Sequence, residues 1–226
     1  MVKFIIPDWD DIVDPDFDPE TETHGEKYLQ DKFSHGARLW HLLDPVPVDG
    51  VLISRPILQR FSRQGKLSIT KKYRMIMKLK DEGGIKAFLR LPEELRDSKR
   101  FQVIGDCGAW QYVFDKYPHY DPIETLDYYN RIGVDYGVTV DHIAISEKHH
   151  YRVELTYENA VESWEHWKKH YDEGEYNYIL MASVQALDIN EYLKNIEKLY
   201  KLGYRHFALG GLARRNTAFI SELIKR

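Results

Sequence analysis

The sequence predicts an α/β fold, a (β/α) barrel of the TIM type that is incomplete at about six strands. Three observations carry that reading. Short β-branched and apolar runs alternate with amphipathic stretches along the chain. The runs are continuous in their apolar character, as strands of a parallel sheet covered by helices must be. Polar residues follow the runs directly, at the position where the carboxyl ends of parallel strands gather an active site.

In chain order the candidate strands are residues 3–6, 51–54, 101–105, 136–140, 178–184 and 206–209. The last four begin 35, 42 and 28 residues apart, the usual repeat of a strand, a loop and a helix. A helix is expected over 122–132, because Asp121 can cap its first turn and Pro122 suits the first helical position. A second is expected over 159–171, where Val161, Trp164 and Trp167 fall at near-helical spacing. A third, 189–202, follows Asp188 and stops at Gly203. The acidic stretch 8–22 reads as a long loop. No linker, repeat or low-complexity tract divides the chain, so residues 1–226 read as a single domain.

Apolar residues are 43% and charged residues 30% of the 226, a balance that fills a core. Sixteen Tyr, 9 Phe and 5 Trp exclude a disordered chain. The single cysteine, Cys107, excludes an internal disulfide framework and any zinc site built from several thiolates of this chain. MVKFIIPDWDD turns acidic too soon for a signal peptide, and no apolar run approaches the roughly 20 residues that span a bilayer. The expected place is the cytoplasm, with no membrane partner.

The net charge of -4 argues against binding nucleic acid by bulk electrostatics and leaves local patches to consider. Lys71, Lys72, Arg74, Lys78 and Lys80 read as a solvated helix face. Lys99 and Arg100 form a second group. Arg214 and Arg215 stand apart because they follow a Gly-Gly turn, a backbone that suits phosphate. The run Asp14, Asp16, Asp18 is not a calcium loop, since Pro19 holds the turn position and Gly25 the place of the bidentate Glu.

Four consecutive strand ends deliver Asp106, Asp141, Gln185 and the Gly210–Gly211 pair to one rim. In IGDCGAWQYV (104–113), small residues let a planar ligand approach the backbone, and Trp110 can stack on it. Composition alone would favour Trp110 as a packing residue, and Asp106 can equally be a helix N-cap, a common role for Asp at such a junction. In YGVTVDHIA (136–144), Asp141 can accept two N–H bonds from a guanine-type edge or pair with a loop cation, and His142 reads as packing. In ILMASVQALD (179–188), the Gln185 amide can donate to a purine carbonyl or to a loop. In FALGGLARR (207–215), Gly210 and Gly211 leave backbone N–H and C=O groups unshielded, or simply make a turn.

These segments resemble the motifs of the tRNA-guanine transglycosylase superfamily. DCGAWQ at 106–111 looks like its D-S-G-G-F/Y-Q, VTVDH at 138–142 like its base-reading segment, SVQA at 183–186 like V-Q-G-G, and ALGGLA at 208–213 like A-[IV]-G-G-L. The amino-terminal IIPDWDDIVDPDFD (5–18) and DGVLISR (49–55) are more similar to the DpdA-type DNA 7-deazaguanine branch. Cys107, Ala109 and Ala186 depart from the tRNA pattern.

The resemblance implies exchange of guanine for a 7-deazaguanine in DNA or tRNA through a covalent Asp–nucleotide intermediate. It implies proton transfer by Asp106, a base sandwich with Trp110, base selection by Asp141 and Gln185, and a pocket completed by Gly210, Gly211 and Leu212. In the family the nucleophilic Asp and the three-Cys, one-His zinc ligands come after the Gly-Gly-Leu segment, so neither is expected in this chain. The missing strands imply a truncated product, a reduced binding protein, or a barrel completed by a second chain or another copy. Cys107 or Asp141 as a substitute nucleophile is a further alternative. Two rivals stand beside this reading: a barrel glycosidase using Asp106 and Asp141 as acid and base, and a noncatalytic subunit that binds guanine or nucleic acid.

Overall fold

The structure, a computed structural model, describes residues 2–7, 12–62, 65–96 and 100–226. Six strands form one curled parallel sheet, half of a barrel: β1 (Ile5–Pro7), β2 (Gly50–Ser54), β5 (Gln102–Asp106), β6 (Tyr136–Val138), β7 (Ile179–Val184) and β8 (Phe207–Leu209). They lie side by side in chain order, so each crossover adds a strand on the same side, the progression that builds a (β/α) barrel. Between β2 and β5 the chain makes an antiparallel hairpin of β3 (Gln59–Phe61) and β4 (Leu67–Ile69), apart from the main sheet.

The pleat sorts the strand residues between two faces. In β2, Val51 and Ile53 are buried while Leu52 and Ser54 are half-buried. In β5, Val103 is buried while Ile104 and Asp106 are half-buried. The buried set packs with Leu126, Tyr129, Tyr178 and Leu199 of the covering elements into the main core, each large side chain adding ~1.5–3 kcal/mol by leaving water. The half-buried set forms the other face. Register pairs Leu52 with Ile104 and Ser54 with Asp106, so that face ends in a hydroxyl beside a carboxylate.

Two helices begin and end as their sequence signals require. Asp121 accepts from the N–H groups of Ile123 and Glu124 (2.9 and 3.0 Å) to cap Pro122–Ile132, which closes on the left-handed Gly133. Asp188 accepts from the Glu191 N–H (2.9 Å) to cap Ile189–Leu202.

Three expectations are corrected. The strand expected over 136–140 is Tyr136–Val138, because the Thr139 hydroxyl accepts the Ser183 N–H (2.9 Å) and takes over from the backbone ladder. The helix expected over 159–171 is His150–Asp172. Its first half shows no apolar stripe because its inward face is polar: Arg152 donates to the carbonyls of Val113, Ile143 and Asp115 (2.8–3.0 Å). Lys72 is not solvated; it is buried, with its ammonium 5.8 Å from the centre of the Phe88 ring.

Residues 8–11 of the expected acidic loop, and Lys99, lie outside the described residues. The acidic run that follows folds on itself, Asp14 accepting from the N–H groups of Asp16 and Gly25 (3.0 and 2.7 Å). Among the described residues no helix is long and apolar enough to cross a membrane.

Candidate active site

The carboxyl ends of the strands open on a cleft of about 360 Å³ whose lining includes Asp106, Trp110, Asp141, Gln185, Gly210 and Gly211. Asp106 is the last residue of β5. Its Oδ2 accepts from the Ser54 hydroxyl (2.6 Å) and from the Gly108 N–H (2.9 Å). Burial pushes its carboxyl up to about 6, against the lowering effect of the Ser54 bond and with help from the nearby Asp141 charge. A carboxyl poised there can hold or release a proton near neutral pH. Asp106 thus caps the turn that follows it and also faces the cleft.

That turn needs Gly108. Its φ is 78°, and a Cβ would sit 2.3 Å from the Pro56 ring. Gly108 leads into the single turn Ala109–Tyr112, which holds Trp110 out at 65% exposure. Composition favoured packing for this residue; the structure instead leaves its indole free along the cleft, because the turn points away from the core.

Asp141 is buried beyond the end of β6. Its Oδ2 accepts from the Gln185 amide (2.6 Å) and its Oδ1 from the Cys107 thiol (3.1 Å). Among the described residues no loop cation pairs with it. Cys107 is fully buried and also contacts the Tyr112 hydroxyl (3.2 Å). Burial first, then the charges of Asp141 and Asp106, hold its thiol well above the usual range, so it is a donor rather than a thiolate nucleophile. Tyr112 in turn donates to the Asp141 carbonyl (3.0 Å). Gln185 Oε1 is buried and lacks a hydrogen-bond partner among the described residues.

Gly210 acts by leaving space. A Cβ there would stand 2.1 Å from Gln185 Nε2 and 3.2 Å from Asp141 Oδ2. The expectation of unshielded backbone is corrected at this residue: its N–H donates to the Val184 carbonyl (2.9 Å), and its C=O accepts from the Tyr192 hydroxyl (2.5 Å). Leu212 packs on the main core and does not line the cleft. Arg214 and Arg215 line an adjoining hollow of about 190 Å³ that shares Trp110 and Gly211 with the cleft. Arg214 is exposed, whereas Arg215 donates to the Leu187 carbonyl (2.6 Å) and lies 4.7 Å from the Phe219 ring centre.

His142 is buried beside Tyr112, with Nε2 2.9 Å from the Asp115 carbonyl; burial pushes its pKa down and keeps it neutral. Sequence reasoning missed Ser54, Pro56 and Ile143, all part of the cleft wall. Ser54 carried a usable signal, being the polar last residue of an expected strand.

The fold and this cleft together make half of a (β/α) barrel with a cleft at its carboxyl rim, walled by Asp106, Asp141, Gln185 and Trp110. The chain is 26% identical to a DNA-guanine transglycosylase of Salmonella montevideo over an alignment of 242 residues. The alignment takes in 99% of this chain and 52% of the relative, so the chain spans about half the length of the curated relative it matches. No family model matches. The zinc set of the resembled family does not fit these residues, since the one cysteine present is committed to Asp141 and Tyr112.

Proposed function

We propose that this chain forms the base-reading part of a guanine transglycosylase that replaces guanine by a 7-deazaguanine in nucleic acid, with DNA as the substrate rather than tRNA. The observation that carries the proposal is the buried Asp141–Gln185 pair on the cleft wall. A carboxylate accepts the two N–H groups of a guanine edge, and an amide donates to its carbonyl. The DNA assignment leans on the name of the similar protein and on the amino-terminal resemblance.

In the reaction a carboxylate oxygen bonds to C1′ of the target nucleotide as the C1′–N9 bond breaks. The departing electron pair stays on guanine, and Asp106 supplies the proton. The incoming 7-deazaguanine then gives its N9 proton to Asp106 and displaces the carboxylate from C1′. The target nucleotide must leave its stack to reach the cleft. Trp110 stacks on the base, and Arg214 and Arg215 meet the backbone phosphates. Asp106 is engaged with the proton, Asp141 is tied by Gln185 and Cys107, and Cys107 is protonated. Neither of the two carboxylates described on the cleft wall is free to attack, so the attacking carboxylate is another group, from this chain's remaining acidic residues, further sequence, a second chain or another copy.

The test is transfer of radiolabelled guanine into DNA and, separately, tRNA, by the purified chain with and without a candidate partner. Label in DNA that disappears in Asp106→Ala is the expected result. Label in tRNA alone would move the substrate. Absence of label and of guanine binding in every condition would sink the proposal, and turnover of a simple glycoside would favour an acid–base glycosidase instead.

A further inference from the structure

The turn that carries Trp110 is shared by more than the base cleft. Gln111 lines that cleft and also a second hollow of about 740 Å³, whose other walls include Phe61 on β3, Phe114 and His119. The two spaces therefore share a wall at Gln111. Phe114 is 92% exposed, Trp110 65% and Tyr117 56%, so one short segment holds three large rings in water. Lys116 places its ammonium 5.1 Å from the Tyr117 ring centre. At the edge of the second hollow His119 pairs with Asp115 (2.9 Å), offering polar atoms where a flat ligand would present its rim. The hollow of Arg214 and Arg215 joins the base cleft through Trp110 and Gly211. Three spaces thus meet at one turn: a basic one, a base-reading one and an aromatic one.

We infer that the Phe114 hollow receives the nucleobase next to the exchanged nucleotide, stacked on the Phe114 ring. This rests on the base-exchange reading of the central cleft. A nucleotide seated in that cleft has its neighbours one sugar–phosphate step away, and Phe114 stands in the hollow on the other side of Gln111. Every base has a π face, so stacking there is tolerant of sequence. The basic hollow meets the backbone charge of the same strand. Apolar rings left bare on a rim are otherwise unfavourable in water, and a base face covers them without a fitted pocket.

The experiment measures binding of free guanine and of fluorescent five-nucleotide DNA and RNA strands with a central guanine, to wild type, Phe114→Ala and Phe114→Trp. Phe114→Ala is expected to weaken strand binding about tenfold, or ~1.4 kcal/mol. Its guanine affinity should equal that of wild type, and Phe114→Trp should keep the strand. An abasic residue beside the guanine should cost wild type the same factor and cost Phe114→Ala nothing more. Equal strand binding by Phe114→Ala and wild type, with guanine binding intact, would overturn the inference alone. Failure of wild type to bind guanine would overturn the base-site reading along with it. The stronger of the DNA and RNA strands identifies the sugar that fits.

Discussion

Asp106 reaches the cleft because it is in phase with Leu52, Ser54 and Ile104 on the pleat, and its chemistry follows from that position. Its folded pKa of about 6 exceeds the ~3.9 of an unfolded Asp, so the native state binds the proton more tightly. Between those values stability falls as pH rises, and above about 6 it is flat. Asp106→Asn is accordingly expected to unfold at higher temperature than wild type at pH 7, by on the order of 1 kcal/mol, a discounted figure because the cleft is open to water. The difference should vanish below about pH 4, which paired melting curves would show. The same variant should lose at least ~100-fold in exchange. A second residue-scale expectation concerns Gly210. Alanine there would press on the Gln185 amide, costing ~1–3 kcal/mol and the affinity for guanine, as calorimetry and denaturant titration would register.

At the scale of elements, the strand-end segment after β2 is clamped by Arg55. Its guanidinium donates to Gln59 (3.2 Å) and Thr125 (2.7 Å) and lies against the rings of Tyr120 and Tyr128 (4.4 and 4.9 Å). A lysine cannot reproduce that fork or its flat stacking, so Arg55→Lys should cost ~1–3 kcal/mol in urea denaturation and loosen Pro56 beneath Gly108. The strands of the sheet were legible as short apolar runs between amphipathic stretches, although the first lies at Ile5–Pro7 rather than over 3–6, and the helices at 122 and 189 because Asp caps announce them. The first turns of His150–Asp172 were not legible, since an inward face built on Arg152 and Thr156 leaves no apolar period to read. The β3–β4 hairpin was missed for a similar reason: strands of three residues with Arg60 and Ser68 between apolar neighbours carry too little pattern. Nor could spacing tell that Trp110 faces a cleft while Leu212 joins the core; the turn direction set by Gly108 against Pro56 decides that.

The whole molecule bears a net charge of -4, so it has no broad field to hold a polyanion. If Arg214 and Arg215 supply the phosphate contacts, the logarithm of DNA affinity should fall with the logarithm of salt at a slope of about −2, and Arg214→Ala should reduce that slope by ~1. A slope steeper than about −5 in a potassium chloride titration would refute the assignment. The bonds from Cys107 and Gln185 to Asp141, with Gly210 held close against Gln185, lace together the ends of four neighbouring strands. The groups that would read a base are therefore also the rivets of the sheet rim. A ligand that draws Gln185 or Asp141 toward itself reaches the backbone at 107, 141, 185 and 210 together. Occupancy would be written into the breathing of the sheet, and amide hydrogen exchange at those four separated stretches should slow in concert when guanine binds, at the same ligand concentration for each.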